Sequence, residues 1–187
     1  MINNVFIHNS AIVSDDSQIG SETKIWHYSH VFGNSIIGKN CMLGQNVMVG
    51  PKVIIGSNCK IQNNVSLYKG VIIEDNVFCG PSCVFTNIKT PRAFIDRSNE
   101  FTQTIIRKGT SIGANATIIC GVELGEYSMI GAGALVSKDV KPYSLVIGSP
   151  AKHIGWVSEA GERLDEGLIC KRTGELYEKK NGNLYKK

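Results

Sequence analysis

No apolar run in the 187 residues approaches the roughly 18 that a membrane-spanning helix needs, so no membrane span is expected. The opening MINNVFIHNS lacks a basic stretch followed by an apolar one, so no secretory signal is read there, and a cytoplasmic protein is expected. The chain has six cysteines but no CxxC pair, and no Cys/His cluster has zinc spacing. Histidine is scarce too: His8, His27, His30 and His153 are the full set. His27 and His30 fall within one six-residue unit and His8 is assigned to a different face, which argues against a three-histidine metal site. No basic run interleaves with aromatics, so nucleic acid is not an expected partner. The formal charge of +4 favours anionic small ligands instead, and the lysines at 179, 180, 186 and 187 read as a solvated terminus.

What the chain does have is a beat of six. An apolar residue recurs without a skip at Ile7, Val13, Ile19, Ile25, Val31, Ile37, Leu43, Val49, Ile55, Ile61, Leu67, Ile73, Cys79 and Phe85. The beat resumes at Ile106, Ile112, Ile118, Leu124, Ile130 and Val136. Four positions after each except Phe85 lies a small or β-branched residue, among them Cys41, Cys59 and Cys83, where cysteine serves as a small hydrophobe. A helix repeats at 3.6 and a simple strand at 2, so a strict six belongs to neither. Hexapeptide repetition is the signature of a parallel β-helix: each hexad is a short strand plus a turn, three hexads close a triangular coil, and stacking buries what one coil cannot.

Residues 1–6 are expected to cap the first coil, with Val5 and Phe6 as apolar cover. Residues 86–105 break the beat, and an excursion of that length from a rigid solenoid is more often functional than idle. The solenoid is expected to end at about 141. The extension, 142–187, is expected to hold a short helix near 158–164 and a β-hairpin turning at Asn181-Gly182.

With three hexads per coil, positions 18 apart stack. His27, Gln45 and Asn63 then share one column with Tyr28, Asn46 and Asn64 beside it, while Lys69 and Asn87 share the next. Those segments carry a resemblance. IWHYSHV (25–31), LGQNV (43–47), IQNNVSLY (61–68), CGPSCVFTN (79–87), PRA (91–93), IGANATIICGV (112–122), IGAGALVSKDV (130–140), GSPAK (148–152) and GWVSEAGE (155–162) resemble the hexapeptide-repeat acyltransferases. Within them they are most similar to the sugar-nucleotide N-acetyltransferases that act on the 3-amino group of a UDP-linked 2-acetamido-3-amino uronic acid. The resemblance implies an all-β fold: a left-handed parallel β-helix with one long excursion loop and a small C-terminal β appendage. It also implies acetyl-CoA as cosubstrate without a metal, a UDP-sugar acceptor, a role in bacterial surface polysaccharide (O-antigen) synthesis, and a homotrimer with active sites between subunits.

The implied chemistry is attack of a sugar amine on a thioester. It needs the amine positioned, the oxyanion stabilised and a proton removed. Asn87 is the candidate for orienting the amine and His27 is the candidate base. Gln45, Asn63, Asn64, Tyr68, Lys69 and Arg92 are candidates for holding the acceptor, with Arg97 as a second loop arginine suited to a carboxylate or diphosphate. Ala132 and Gly133 would let the cofactor arm lie close to the backbone, and Lys138, Pro150 and Lys152 would sit at its phosphates. Trp156 is read chiefly as a cover for the last coil. The alternatives are a dTDP-3-amino-deoxyhexose or another small acceptor, and, in a different class, a non-catalytic or metal-dependent β-helix.

Overall fold

The computed structural model describes residues 4–187. Two-residue strands at the beat positions stack into three parallel sheets, one for each face of a prism. Face one starts with Phe6–Ile7, Lys24–Ile25 and Met42–Leu43; face two with Ile12–Val13, His30–Val31 and Met48–Val49; face three with Gln18–Ile19, Ile36–Ile37 and Ile54–Ile55. Registers advance by 18, as in Ile25 with Leu43 and Leu43 with Ile61. The architecture is the left-handed parallel β-helix that the repeat and the resemblance called for.

The columns explain the core. From Ile25 to Val136 the beat residues are essentially solvent-free, and so are the small residues four positions on. Their hydroxyls find partners one coil ahead: Thr23 Oγ1 donates to the Gly38 carbonyl at 2.8 Å, Ser29 Oγ to Gly44 at 2.8 Å, and Thr110 Oγ1 to Gly125 at 3.0 Å. Ser128 Oγ is buried without such a partner. The cause is a register change at the end of the solenoid, where Ile130 pairs with Val146 only 16 positions on (146 minus 130).

Each coil turns three corners, and from Ile19 to Cys79 and again from Ile106 to Ile130 the residue three positions after each beat residue has positive φ. The series is Glu22, Tyr28, Asn34, Asn40, Asn46, Lys52, Asn58, Asn64, Gly70, Asn76, Ser82, then Gly109, Asn115, Gly121, Tyr127 and Gly133. Asparagine tolerates this left-handed conformation better than other non-glycine residues, which accounts for its recurrence there.

Four expectations are corrected. Residues 158–164 form no helix: the Gly161 N–H donates to the Ser158 carbonyl at 2.9 Å, Gly161 has φ of 80°, and Val157 bridges Arg163. Parallel stacking does not stop at 141, because Ser144–Ile147 adds a further strand to face one. The excursion ends sooner than 105, since Thr104–Ile106 already pairs with Val71–Ile73. His8 is not on a separate face from His27; the two rings stack with centroids 3.5 Å apart, because Ile7 lies in register with Ile25. Of the expected N-terminal cap, residues 1–3 lie outside the described residues; Val5 is half-buried, and the Phe6 ring lies 5.2 Å from that of Trp26.

The C-terminal residues build a second, small core from Leu164, Cys170, Tyr177 and Leu184, packed against Tyr143 and Trp156. Its hairpin, Tyr177–Lys180 with Asn183–Lys186, turns at Asn181-Gly182, both with positive φ. Lys186 Nζ is held between Glu159 and Glu175, which ties the hairpin to the 158–162 turn.

Candidate active site

The candidate residues fall on the two edges of face two. Along the corner between faces one and two run His27, Gln45, Asn63, Asn64, Ala132 and Gly133; along the corner between faces two and three run Lys69, Asn87 and Lys138, with Tyr68 on face two beside them.

On the first edge the amides are engaged with one another. Asn63 Oδ1 accepts the Gln45 backbone N–H at 2.9 Å, and Asn46 Nδ2 donates to Asn64 Oδ1 at 3.1 Å. Asn40 and Asn58 form the same link at another corner. Asn63 and Asn64 are therefore rungs of a ladder that ties coil to coil, and Asn64 also supplies the left-handed corner. His27 lies in the second coil in an aromatic group with Trp26, Tyr28 and His8, whose Nδ1 is 2.9 Å from Ser10 Oγ. Among the described residues no group of three or more His, Cys, Asp or Glu is arranged to hold a metal ion.

The second edge carries the excursion. Asn87 is the last corner residue before the chain leaves, and its carbonyl accepts the Thr102 N–H at 3.1 Å as the chain returns. No hydrogen bond engages its side-chain amide among the described residues. Lys69 lies one coil before it, with Nζ 6.0 Å from the centroid of the loop's Phe101. Arg92 is exposed on the loop and donates only to the Pro91 carbonyl, at 3.2 Å; Arg97 pairs with Glu100 at 2.7 Å. Face two continues upward in register, Val84 with Thr117 and Thr117 with Leu135, so Asn87, Cys120 and Lys138 follow one another on this corner. Two rungs separate Asn87 from Lys138, about 10 Å along the axis.

At Lys138 the corner opens into a cavity of about 590 Å³. The Gly148 carbonyl accepts the Leu135 N–H at 3.0 Å and the Ala151 N–H donates to the Leu135 carbonyl at 2.8 Å, so the 148–151 segment is fastened to the last strand of face two. The cavity lies against it, lined by Lys138, Pro150 and Lys152 together with Ser137, Lys141, His153 and Trp156. Ala132 and Gly133 are not part of this lining; they lie on the opposite edge of the face, exposed, with nothing within 4 Å of where a Gly133 Cβ would be. Asp139 also lines the cavity, its Oδ1 accepting the Glu123 N–H at 2.8 Å, but Lys138, Lys141 and Lys152 outnumber it and leave the lining net cationic. The Trp156 ring meets His153 edge-on at 4.6 Å and also touches the small C-terminal core, so it is both a cavity wall and a cover. Burial, then Lys141 and Lys179, hold the His153 pKa below its ordinary value.

Sequence reasoning did not single out Ser137, Lys141 or His153. Ser137 opens the SKDV motif and Lys141 and His153 directly follow SKDV and GSPAK, and only the folded chain turns them toward one space.

The bacterial transferase hexapeptide family matches residues 34–69 and 103–138, either side of the excursion. These two stretches carry bacterial transferase hexapeptide repeats. The chain is 40% identical over 85 residues to the dTDP-3-amino-3,6-dideoxy-alpha-D-galactopyranose 3-N-acetyltransferase of Aneurinibacillus thermoaerophilus, covering 44% of each protein. The hexapeptide-repeat chain spans less than half the length of the first curated relatives it matches. Among solved structures, it is similar to a galactoside acetyltransferase in complex with coenzyme A: 25% identity, TM-score 0.59, covering 71% of this chain and 68% of that one. It is also similar to a hexapeptide-repeat-containing acetyltransferase of Vibrio cholerae complexed with acetyl coenzyme A: 29% identity, TM-score 0.51, covering 62% and 70%.

Proposed function

We propose that the chain is an acetyl-CoA-dependent N-acetyltransferase acting on an amino group of a nucleotide-linked sugar. The observation that carries this reading is the second edge of face two. A cationic cavity at the end of the solenoid and an unengaged amide at the mouth of the excursion share one corner, two rungs apart. The cavity suits the phosphates and adenine of the cofactor. Its pantetheine arm then runs along the corner to Asn87, where an amine held by the amide meets the thioester. The likeness to structures solved with coenzyme A or acetyl coenzyme A supports the cofactor, and the Aneurinibacillus relative, a 3-N-acetyltransferase of an amino sugar, supports the acceptor class.

In finer detail, the acceptor is the 3-amino group of a UDP-linked 2-acetamido-3-amino uronic acid made for bacterial lipopolysaccharide in the cytoplasm, with Arg92, Lys69 and Tyr68 on the sugar nucleotide. The working unit is a homotrimer whose neighbour approaches face two. The same relative favours a second acceptor, a dTDP-3-amino-deoxyhexose. One assay decides: thiol release from acetyl-CoA with a panel of UDP- and dTDP-amino sugars. Turnover confined to the 3-amino uronate supports the finer reading; turnover with the dTDP sugar alone replaces it; thiol release with no amino sugar removes both.

A further inference from the structure

The proposed path from cavity to Asn87 crosses one rung that the sequence left unremarked, that of Cys120 and Gly121. Gly121 turns the corner at φ of 85° and is exposed. The space where its Cβ would stand is filled by the excursion: Thr102 Cγ2 would lie 2.8 Å away, Lys89 Cε 3.3 Å and Lys89 Nζ 3.4 Å. Lys89, two residues beyond Asn87, thus sends its side chain back along the corner onto the rung between Asn87 and Lys138. No ion pair or hydrogen bond engages its ammonium among the described residues. The glycine lets the Lys89 stem and Thr102 close over the rung, and the exposed, unpartnered ammonium is left facing outward beside the path from the cavity to Asn87.

Resting on the acetyltransferase reading, we propose that Lys89 is a catalytic residue, with its ammonium facing the thioester carbonyl oxygen at the Gly121 rung. In the step it serves, the neutral amine forms the C–N bond while the carbonyl π pair moves onto oxygen, giving an oxyanion beside an alkylammonium. Lys89 stabilises that oxyanion through space and transfers no proton. The oxygen pair then returns, the C–S bond breaks with its electrons on sulfur, and the proton released by the new amide nitrogen neutralises the thiolate. Negative charge grows on the oxygen as the C–N bond forms, so the ammonium acts on the transition state more than on either bound substrate.

The test compares wild type with Lys89→Met, Lys89→Arg and Lys89→Ala in the thiol-release assay, with acetyl-CoA affinity measured by calorimetry. Loss of an oxyanion partner costs about 10²–10³ in kcat. The expected result is a loss of that order for Lys89→Met with both KM values and the acetyl-CoA Kd little changed, partial recovery in Lys89→Arg, and stimulation of Lys89→Ala by ethylammonium. Unchanged kcat overturns the proposal. So does a loss confined to the KM of acetyl-CoA, which makes Lys89 a phosphate contact, or to the KM of the sugar, which makes it an acceptor contact. A kcat loss that neither arginine nor ethylammonium relieves overturns it as well, because the ammonium is then not the active feature. Wild type turning over no amino sugar is a different failure, that of the parent reading, and the same assay separates the two.

Discussion

Asn87 and His27 differ most in what surrounds them. Asn87 has a free amide at the mouth of the excursion, while His27 stacks on His8 three coils earlier on another corner. An amino-sugar amine near neutral pH already offers a lone pair, and thiolate is a good leaving group, so orientation matters more than a base. Asn87→Ala is expected to lower kcat about 100-fold or more, and His27→Asn by less than about 10-fold. A positioned base contributes 10²–10⁴-fold, so a His27→Asn loss of that size, with the acidic limb of the pH–rate profile gone, would defeat the positioning model. Lys152 touches the cavity far from the thioester; Lys152→Ala should therefore raise the KM for acetyl-CoA several-fold and leave kcat nearly unchanged, as uniform binding requires.

His153 gives the cavity a pH dependence. Burial and two lysines lower its folded pKa below the ordinary 6.5, so its neutral form is favoured when the cavity is empty. Any contribution to folding is complete above the unfolded value and is lost as pH falls through it toward the folded one. An anion in the cavity opposes the lysines and raises the pKa again. Acetyl-CoA binding should thus take up a proton and tighten as pH falls between the raised pKa of the complex and the lowered pKa of the empty cavity. Calorimetry in buffers of different ionisation enthalpy reads the uptake directly, and His153→Asn should abolish it.

At the scale of the element, the hexad was legible because each of its positions has its own chemistry: apolar centre, small interior, left-handed corner. The corner was also where legibility failed. Asn46, Asn63 and Asn64 read as a polar patch because spacing alone does not say whether an amide faces a ligand or the next coil. The positive φ of Asn64 and its bond to Asn46 point to the second. Asn64→Gly should keep stability within a few tenths of a kcal/mol and leave the KM for the sugar unchanged, whereas Asn64→Ala should cost about 1 kcal/mol for a Cβ in the left-handed region. Urea denaturation and sugar KM together settle it; a KM rise in the glycine variant would return Asn64 to the acceptor site. The misread 158–164 stretch, SEAGERL, has helix-compatible residues but no apolar stripe, and Ser158 Oγ accepts the Glu162 N–H at 3.2 Å to close a turn instead. The strand Ser144–Ile147 escaped notice because it follows Pro142 and breaks the beat by two residues. The cavity was half legible: Lys138, Pro150 and Lys152 were read from their motifs, but Lys141 enters only because its Nζ reaches the Gly182 carbonyl at 2.9 Å across a hairpin that no periodicity connects to the solenoid.

For the whole molecule, face two is the surface that asks for a neighbour. Ile12, Phe32, Tyr68 and Val84 are all exposed on it, and both columns of candidate residues border it. Faces one and three expose apolar groups as well, Phe6 and Phe78 on the one and Ile36 and Ile54 on the other, so it is the bordering candidate residues that single out face two as the interaction surface. With cyclic symmetry each face-two edge would meet a neighbour, bringing one subunit's His27 column toward another's excursion. Light scattering is expected to give a trimer at micromolar concentration. Val84→Lys, placed mid-face and outside the proposed chemistry, should shift the protein toward monomer and lower turnover in parallel with the trimer fraction, with circular dichroism unchanged because the Val84 side chain is 48% exposed and supports no core contact that the prism requires. A monomeric wild type with full activity would sink the trimer. A trimer unaffected by Val84→Lys would place the contact on another face and leave Asn87 to work with the cavity of its own chain.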